Sequence, residues 1–226
     1  MLAPTSEASD VMGVSNGRFI TFEGGEGGGK STQLRRLAER LRAQGFEVVA
    51  TREPGGSPGA ESLRDLLVKG PTDRWSPLTE TLILYAARRD HIERVIRPAL
   101  DRGAWVISDR FADSTRAYQG AAGGVDPIFI SELETVVLGA TRPDLTLVLD
   151  LPAEEGLRRA GRRGDDETRF EGKGLPFHDR LRSEFLAIAE REPARCRIVD
   201  AAQSIEAVSE AIWAGVAARF ALGVSA

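Results

Sequence analysis

One stretch, Gly24-Gly25-Glu26-Gly27-Gly28-Gly29-Lys30-Ser31, restricts the possible folds of this chain more than any other. Gly24, Gly29, Lys30 and Ser31 satisfy the spacing G-x-x-x-x-G-K-S/T, after a short apolar run and before a helical period. Glycines let backbone N–H groups wrap a phosphate, and the N-terminus of the following helix adds a positive dipole end. The ammonium of Lys30 neutralises the outer phosphates, and the Ser31 hydroxyl suits Mg²⁺. Residues 24–31 with Thr32 therefore read as a nucleoside triphosphate site. A GTP-driven switch would also need an Asn-Lys-x-Asp motif to read its base, but the chain's only asparagine is Asn16, upstream of the loop.

The rest of the pattern agrees with a strand feeding that loop. FITF (19–22), FEVVA (46–50), AWVIS (104–108), LTLVL (145–149) and CRIVD (196–200) are short, apolar and mostly β-branched. Helix-length stretches separate them. Leu34, Leu37, Ala38 and Leu41 form one apolar face, with Gly45 as a stop. Strand-helix alternation predicts the α/β class: a P-loop three-layer fold with a five-stranded parallel sheet and helices on both faces. Residues 1–17 read as a flexible extension and 18–226 as one domain. Within it, GRRGDDETRFEGKGLP (161–176), glycine-rich and dense in both charge signs, reads as a short mobile lid.

Composition removes several classes. Hydrophobic residues at 42% and charged residues at 28% can form a core, so disorder is excluded. Lys plus Arg number 30 against 34 Asp plus Glu, a net charge of −4, so no broad basic field attracts nucleic acid or an anionic membrane. Neither is expected as a partner. A single cysteine, Cys196, permits no internal disulfide or cysteine-based zinc site. With no basic leader in the first ten residues and no membrane-length apolar run, a cytoplasmic location is expected. His91 reads as a helix-surface residue, and Cys196 as a small buried one.

In an open parallel sheet, ligands sit beyond the carboxyl ends of the strands. The residues there are Glu26 in the loop, Arg52 after the second strand, Asp109 and Arg110 after the third, and Asp150 after the fourth. Two arginines in such places suggest a second anion beside the triphosphate. Arg88 falls inside the apolar stripe of Leu84, Tyr85, Ile92, Val95, Ile96 and Ala99, where a guanidinium needs a partner. A substrate contact is expected, and an acid from another segment is the competing explanation.

With GGEGGGKST, TREPGG, LYAAR, DRF, DSTRAYQG and RPDLTLVLD in this order, the chain resembles the bacterial thymidylate kinases, within the nucleoside monophosphate kinase superfamily. The resemblance runs from about Arg18 to about Phe220. It implies that Arg52 and Arg110 hold the acceptor phosphate of dTMP, that Arg88 and Thr115 meet the thymine edge, and that Tyr118, beside Gln119, presses on the deoxyribose. Glu26 would reach the 3′-hydroxyl, and Arg159 with the segment Ala201 to Ser204 would lie near adenine. It also implies a homodimer and a lid that closes over ATP. Two positions depart from the family pattern. Leu84 stands where the family usually has a phenylalanine under thymine, and Gly27 stands where some members carry an arginine. The lid arginine Arg163 is the expected replacement for the latter.

The implied reaction is transfer of the γ-phosphoryl group of ATP to dTMP, giving ADP and dTDP. An acceptor phosphate is already ionised near neutral pH and needs no general base. Catalysis then rests on cations between two anions: Lys30, Arg110, Arg163 and Mg²⁺, the last held by Ser31 and Asp109, with Asp150 as the rival acid. Two alternatives stay open. One is a kinase of another small acceptor, including an alcohol with Asp109 or Glu53 as base, and the other is an inactive ATP-binding regulatory protein.

Overall fold

The computed structural model describes residues 17–71, 73–161 and 171–222. Among them, five parallel strands lie in the order β2-β3-β1-β4-β5: β1 (Arg18–Glu23), β2 (Val48–Arg52), β3 (Trp105–Asp109), β4 (Leu145–Asp150) and β5 (Cys196–Asp200). The chain starts at the central strand, moves out to β2, returns to β3, and crosses β1 to reach β4 and β5. Around the sheet pack α1 (Lys30–Ala43), α2 (Pro58–Val68), α3 (Pro77–His91), α4 (Arg97–Asp101), α5 (Ala112–Thr115), α6 (Pro127–Leu138), α7 (Ala153–Ala160), α8 (Leu175–Arg191) and α9 (Ile205–Phe220). Two π-helical stretches, Ile92–Ile96 and Arg116–Ala121, extend α3 and α5.

Alternation along the strands sorts side chains onto two covered faces. Ile20, Phe22, Ile107, Leu147 and Leu149 pack against Leu34, Leu37 and Leu41 of α1 and Ile212, Trp213 and Val216 of α9. Their neighbours point the other way. Phe19 and Val106 meet Tyr85, Ile96 and Ile130, while Val148 meets Phe177, Leu181 and Phe185 of α8. Register agrees, since Ile20 pairs with both Ile107 and Leu145. Helices thus cover both faces, as the alternation of strands and helices predicts.

Two strands start later than their apolar runs. Gly45 and Gly103 have positive φ, 89° and 85°, and close the preceding helices. The N–H of Phe46 donates to Leu41 O and that of Ala104 to Ala99 O, so both residues belong to the helix stop. β2 and β3 consequently reach Arg52 and Asp109, which face each other on the last rung of the ladder. Of the expected extension, residues 1–16 lie outside the described residues. So do residues 162–170 of the expected lid. At its far end, Glu171–Lys173 form a single helical turn, and Leu175 opens α8.

Candidate active site

The phosphate loop occupies the expected turn between β1 and α1. Gly29, at φ 81°, caps α1 without a side chain, and no acidic residue stands in the first helical turn. The first N–H groups are therefore left for an anion. Gly27 has φ 68°, and a Cβ there would meet Gly156 O of α7 at 2.1 Å. Close backbone approach explains why this chain has no side chain at that position. Lys30 Nζ donates to Gly25 O at 2.7 Å and Gly24 O at 3.2 Å. Burial foremost, then Arg110, pulls the Lys30 ammonium down to about 8. A neighbouring phosphate would pull it back up.

A cleft of about 260 Å³ opens beside this loop, and the strand ends converge on it. Glu26, Gly27, Gly28, Gly29, Lys30, Ser31 and Asp109 line it. So do Arg52, Leu84, Arg88, Arg110, Thr115, Tyr118 and Gln119. Gly24, Gly25 and Thr32 are absent from the lining, though the carbonyls of the two glycines hold Lys30. Arg159 is away from the cleft. Its guanidinium binds Glu155 and the carbonyl of Ala201, beside the segment expected near adenine. Arg163 lies outside the described residues.

Arg88 meets the competing explanation, an acid from another segment, and keeps one guanidinium atom for the expected substrate contact. Only 2% exposed, it donates from Nε to Glu53 Oε2 at 2.7 Å and from Nη2 to Phe111 O and Thr115 Oγ1. The acid from another segment is therefore real. Its Nη1, however, is buried with no hydrogen-bond partner, a costly condition that one acceptor on a bound molecule would relieve. The other oxygen of Glu53 meets Nδ1 of His91, whose Nε2 meets Thr51 Oγ1 at 2.8 Å. His91 is fully buried, which corrects the surface assignment. It stands three residues from Arg88 on the same stripe, so its position outweighed its polarity.

Arg110 is held in an unusual backbone state. Its φ is 69°, and a non-glycine residue there costs of order 1–3 kcal/mol, a form of strain that clusters at functional sites. The guanidinium donates to Gly24 O and Glu26 Oε1, both at 3.0 Å, and to Ser114 Oγ at 3.2 Å. Tyr118, in the second π-helical stretch, donates to the same Glu26 oxygen at 2.6 Å. Burial opposes ionisation of Glu26, yet Arg110 and Lys30 draw it down to about 2. Arg52 is more open and pairs with Glu61 at 3.1 Å.

Ser31 Oγ and Asp109 Oδ2 stand 2.5 Å apart at the loop. Asp150 is engaged elsewhere, forming a two-pronged pair with Arg182 at 2.7 and 2.9 Å. Among the described residues no group of three or more His, Cys, Asp and Glu could hold a metal. The two oxygens of Ser31 and Asp109 fit Mg²⁺, which takes one or two protein oxygens and completes its shell with water and substrate phosphates.

Several cleft residues have no sequence signature. Arg64, Leu67 and Val68 reach it from α2, where Arg64 Nη1 donates to Pro54 O. Leu67 and Val68 join Leu84 in giving the cleft an apolar wall, in a chain that lacks the usual phenylalanine. Glu53 does have a signal, its place in TREPGG, but the sequence gives no hint of its double engagement.

Comparison with known proteins agrees with this geometry. A family profile described as thymidylate kinase matches residues 22–212. A protein named thymidylate kinase from Caulobacter vibrioides is 63% identical over 209 residues, covering 92% of this chain and 100% of the relative. Another from Bradyrhizobium is 50% identical over 223 residues, covering 98% and 99%. A solved thymidylate kinase structure from Ehrlichia chaffeensis superposes with a TM-score of 0.73 at 35% identity, covering 89% of this chain and 98% of that one.

Proposed function

The chain belongs to the thymidylate kinase family, and on that premise we propose how its own residues carry the reaction. It is a phosphotransferase that phosphorylates dTMP at the expense of ATP. The observation that carries the residue assignments is the shared cleft: Lys30 and Ser31 of the phosphate loop line the same cavity as Arg52, Arg88, Arg110, Thr115 and Tyr118. These cations on one cavity support the reading that the phosphates of an anionic donor and an anionic acceptor meet there.

Lys30 and the free N–H groups opening α1 bind and orient the donor phosphates. Arg110, fixed against the loop, and the more open Arg52 take the acceptor phosphate, offsetting the repulsion between two anions brought to roughly 3 Å. Arg88 offers its unpartnered Nη1 to a carbonyl oxygen of the base, with Thr115 and Gln119 beside it. Leu84, Leu67 and Val68 supply apolar contact to the ring. Tyr118, anchored on Glu26, narrows the sugar position and disfavours a 2′-hydroxyl. Ser31 and Asp109 would hold Mg²⁺, which supplies charge neutralisation on the phosphates. Arg163 would add a further cation, and Arg159 would flank adenine.

Neither of the two acids weighed as a base on an alcohol, Glu53 and Asp109, is left unengaged. Both oxygens of Glu53 are engaged by Arg88 and His91, and Asp109 holds Ser31. A phosphate acceptor needs none. Homodimerisation through exposed Leu82 of α3 and Ile128 and Val136 of α6, which are 48%, 67% and 76% exposed, and a cytoplasmic location complete the proposal. Among the described residues no helix is long and apolar enough to cross a membrane. A coupled assay of ADP formation with dTMP, dUMP, UMP, AMP and deoxythymidine tests the acceptor. The highest kcat/KM is expected with dTMP, and a higher value for AMP or deoxythymidine would overturn the cleft assignments.

A further inference from the structure

Glu23 closes β1 and is fully buried, immediately before the phosphate loop. A carboxylate there needs donors, and it has two. Oε1 accepts from the backbone N–H of Phe111 at 2.8 Å, and Oε2 accepts from Ser114 Oγ at 2.6 Å. Both donors sit just beyond Arg110, the residue held at φ 69°. Ser114 Oγ in turn accepts from Arg110 Nη1. On the near side, the N–H of Arg110 donates to Phe22 O, and Ser108 Oγ donates to Arg110 O.

We infer that Glu23 is a positioning residue for phosphoryl transfer: its carboxylate clamps the turn after Arg110 and so holds that guanidinium against Gly24 and Glu26, aimed into the cleft. The inference rests on the role proposed above for Arg110. Glu23 does not line the cleft. Its influence passes through the Phe111 N–H and the Ser114 hydroxyl. An amide in its place keeps the volume, but its NH2 group meets Ser114 only if that hydroxyl turns to accept, so the charge-assisted anchor on Ser114 is lost and the clamp is weakened. Freed on that side, residue 110 relaxes toward ordinary backbone geometry and the guanidinium leaves the loop carbonyl.

The test compares Glu23→Gln, Arg110→Ala and the double variant in the full chain, measuring kcat, KM for dTMP and the Kd of ATP. Glu23→Gln is expected to lower kcat by about 10- to 100-fold, the usual range for a group that orients another, with the Kd of ATP within about twofold of wild type. Arg110→Ala is expected to lower kcat by about 10³ or more. The double variant should match Arg110→Ala within about threefold, because Glu23 has nothing left to hold. A Glu23→Gln rate within about twofold of wild type, losses that multiply in the double variant, or an equal loss of ATP affinity would each overturn the clamp. A wild-type rate in Arg110→Ala would bring down the role of Arg110 as well, which separates the two failures. If Glu23→Gln does not fold, Ser114→Ala removes one anchor and is read against Arg110→Ala in the same way, with a loss of about threefold or more expected.

Discussion

Replacing Arg88 with methionine, which keeps an unbranched apolar stem, isolates the buried ion pair beneath the cleft. Three contacts are lost: the 2.7 Å bond to Glu53 and the two from Nη2 to Phe111 O and Thr115 Oγ1. The larger effect is what stays behind. Glu53 is 6% exposed, and without Arg88 it keeps only His91 on its other oxygen. Stranding one member of a buried pair costs about 3–5 kcal/mol, well above the net worth of the hydrogen bonds themselves. In a domain of this size each kcal/mol moves Tm by about 2–4 °C, so a fall of about 6–20 °C is expected. Urea unfolding followed by tryptophan fluorescence measures it, as a lower midpoint at unchanged slope. Adding Glu53→Gln to the methionine variant removes the stranded charge and should return about 2 kcal/mol. A methionine variant within about 1 kcal/mol of wild type, or additive effects in the pair, would refute the argument that this charge pair is buried and coupled.

Two further predictions follow from the charged groups around the loop. Asp109→Asn should raise the Mg²⁺ concentration needed for half-maximal rate, whereas Asp150→Asn should leave it unchanged and cost at most about 1 kcal/mol through its partly exposed pair with Arg182; a magnesium titration of both variants distinguishes the two acids. Burial, then Asp113, raises Glu23 to about 7, against the lowering pull of Ser114 and Arg110. Because its folded value lies above its unfolded one, its contribution to stability is complete below about 4.5 and is lost as pH rises through about 7. Wild type should therefore gain about 2 kcal/mol relative to Glu23→Gln between pH 8 and pH 5, measured by urea midpoints, and a difference that does not vary with pH would contradict the burial argument.

The loop and the sheet were legible because their signals are local. A glycine-rich turn with lysine and serine at fixed spacing states its chemistry within eight residues, and short β-branched runs alternating with helical periods state the topology. Arg88 was legible for a different reason: a guanidinium on an apolar stripe contradicts the pattern around it, and such a contradiction marks a place where something distant must supply a partner. Which partner it found was not legible. Glu53 lies 35 residues away in sequence, and only the packing of α3 beneath β2 brings the two into contact. His91 shows the same limit from the other side, since its bonds to Thr51 and Glu53 are fixed by that packing alone. The left-handed backbone of Arg110 has no residue-type signature, because arginine is not a residue that ordinarily adopts it. Glu23 carried no such signal: Asp109 and Asp150 also follow four or more residues buried in the sheet and stay half-buried, so only the tertiary fold encloses the acid at the end of β1. A buried carboxylate there needs donors, and two just past the strained arginine meet it, though burial and Asp113 still push its pKa upward. Charges that oppose their surroundings thus locate the working parts of this chain from sequence, while the identity of their counterparts belongs to the tertiary fold.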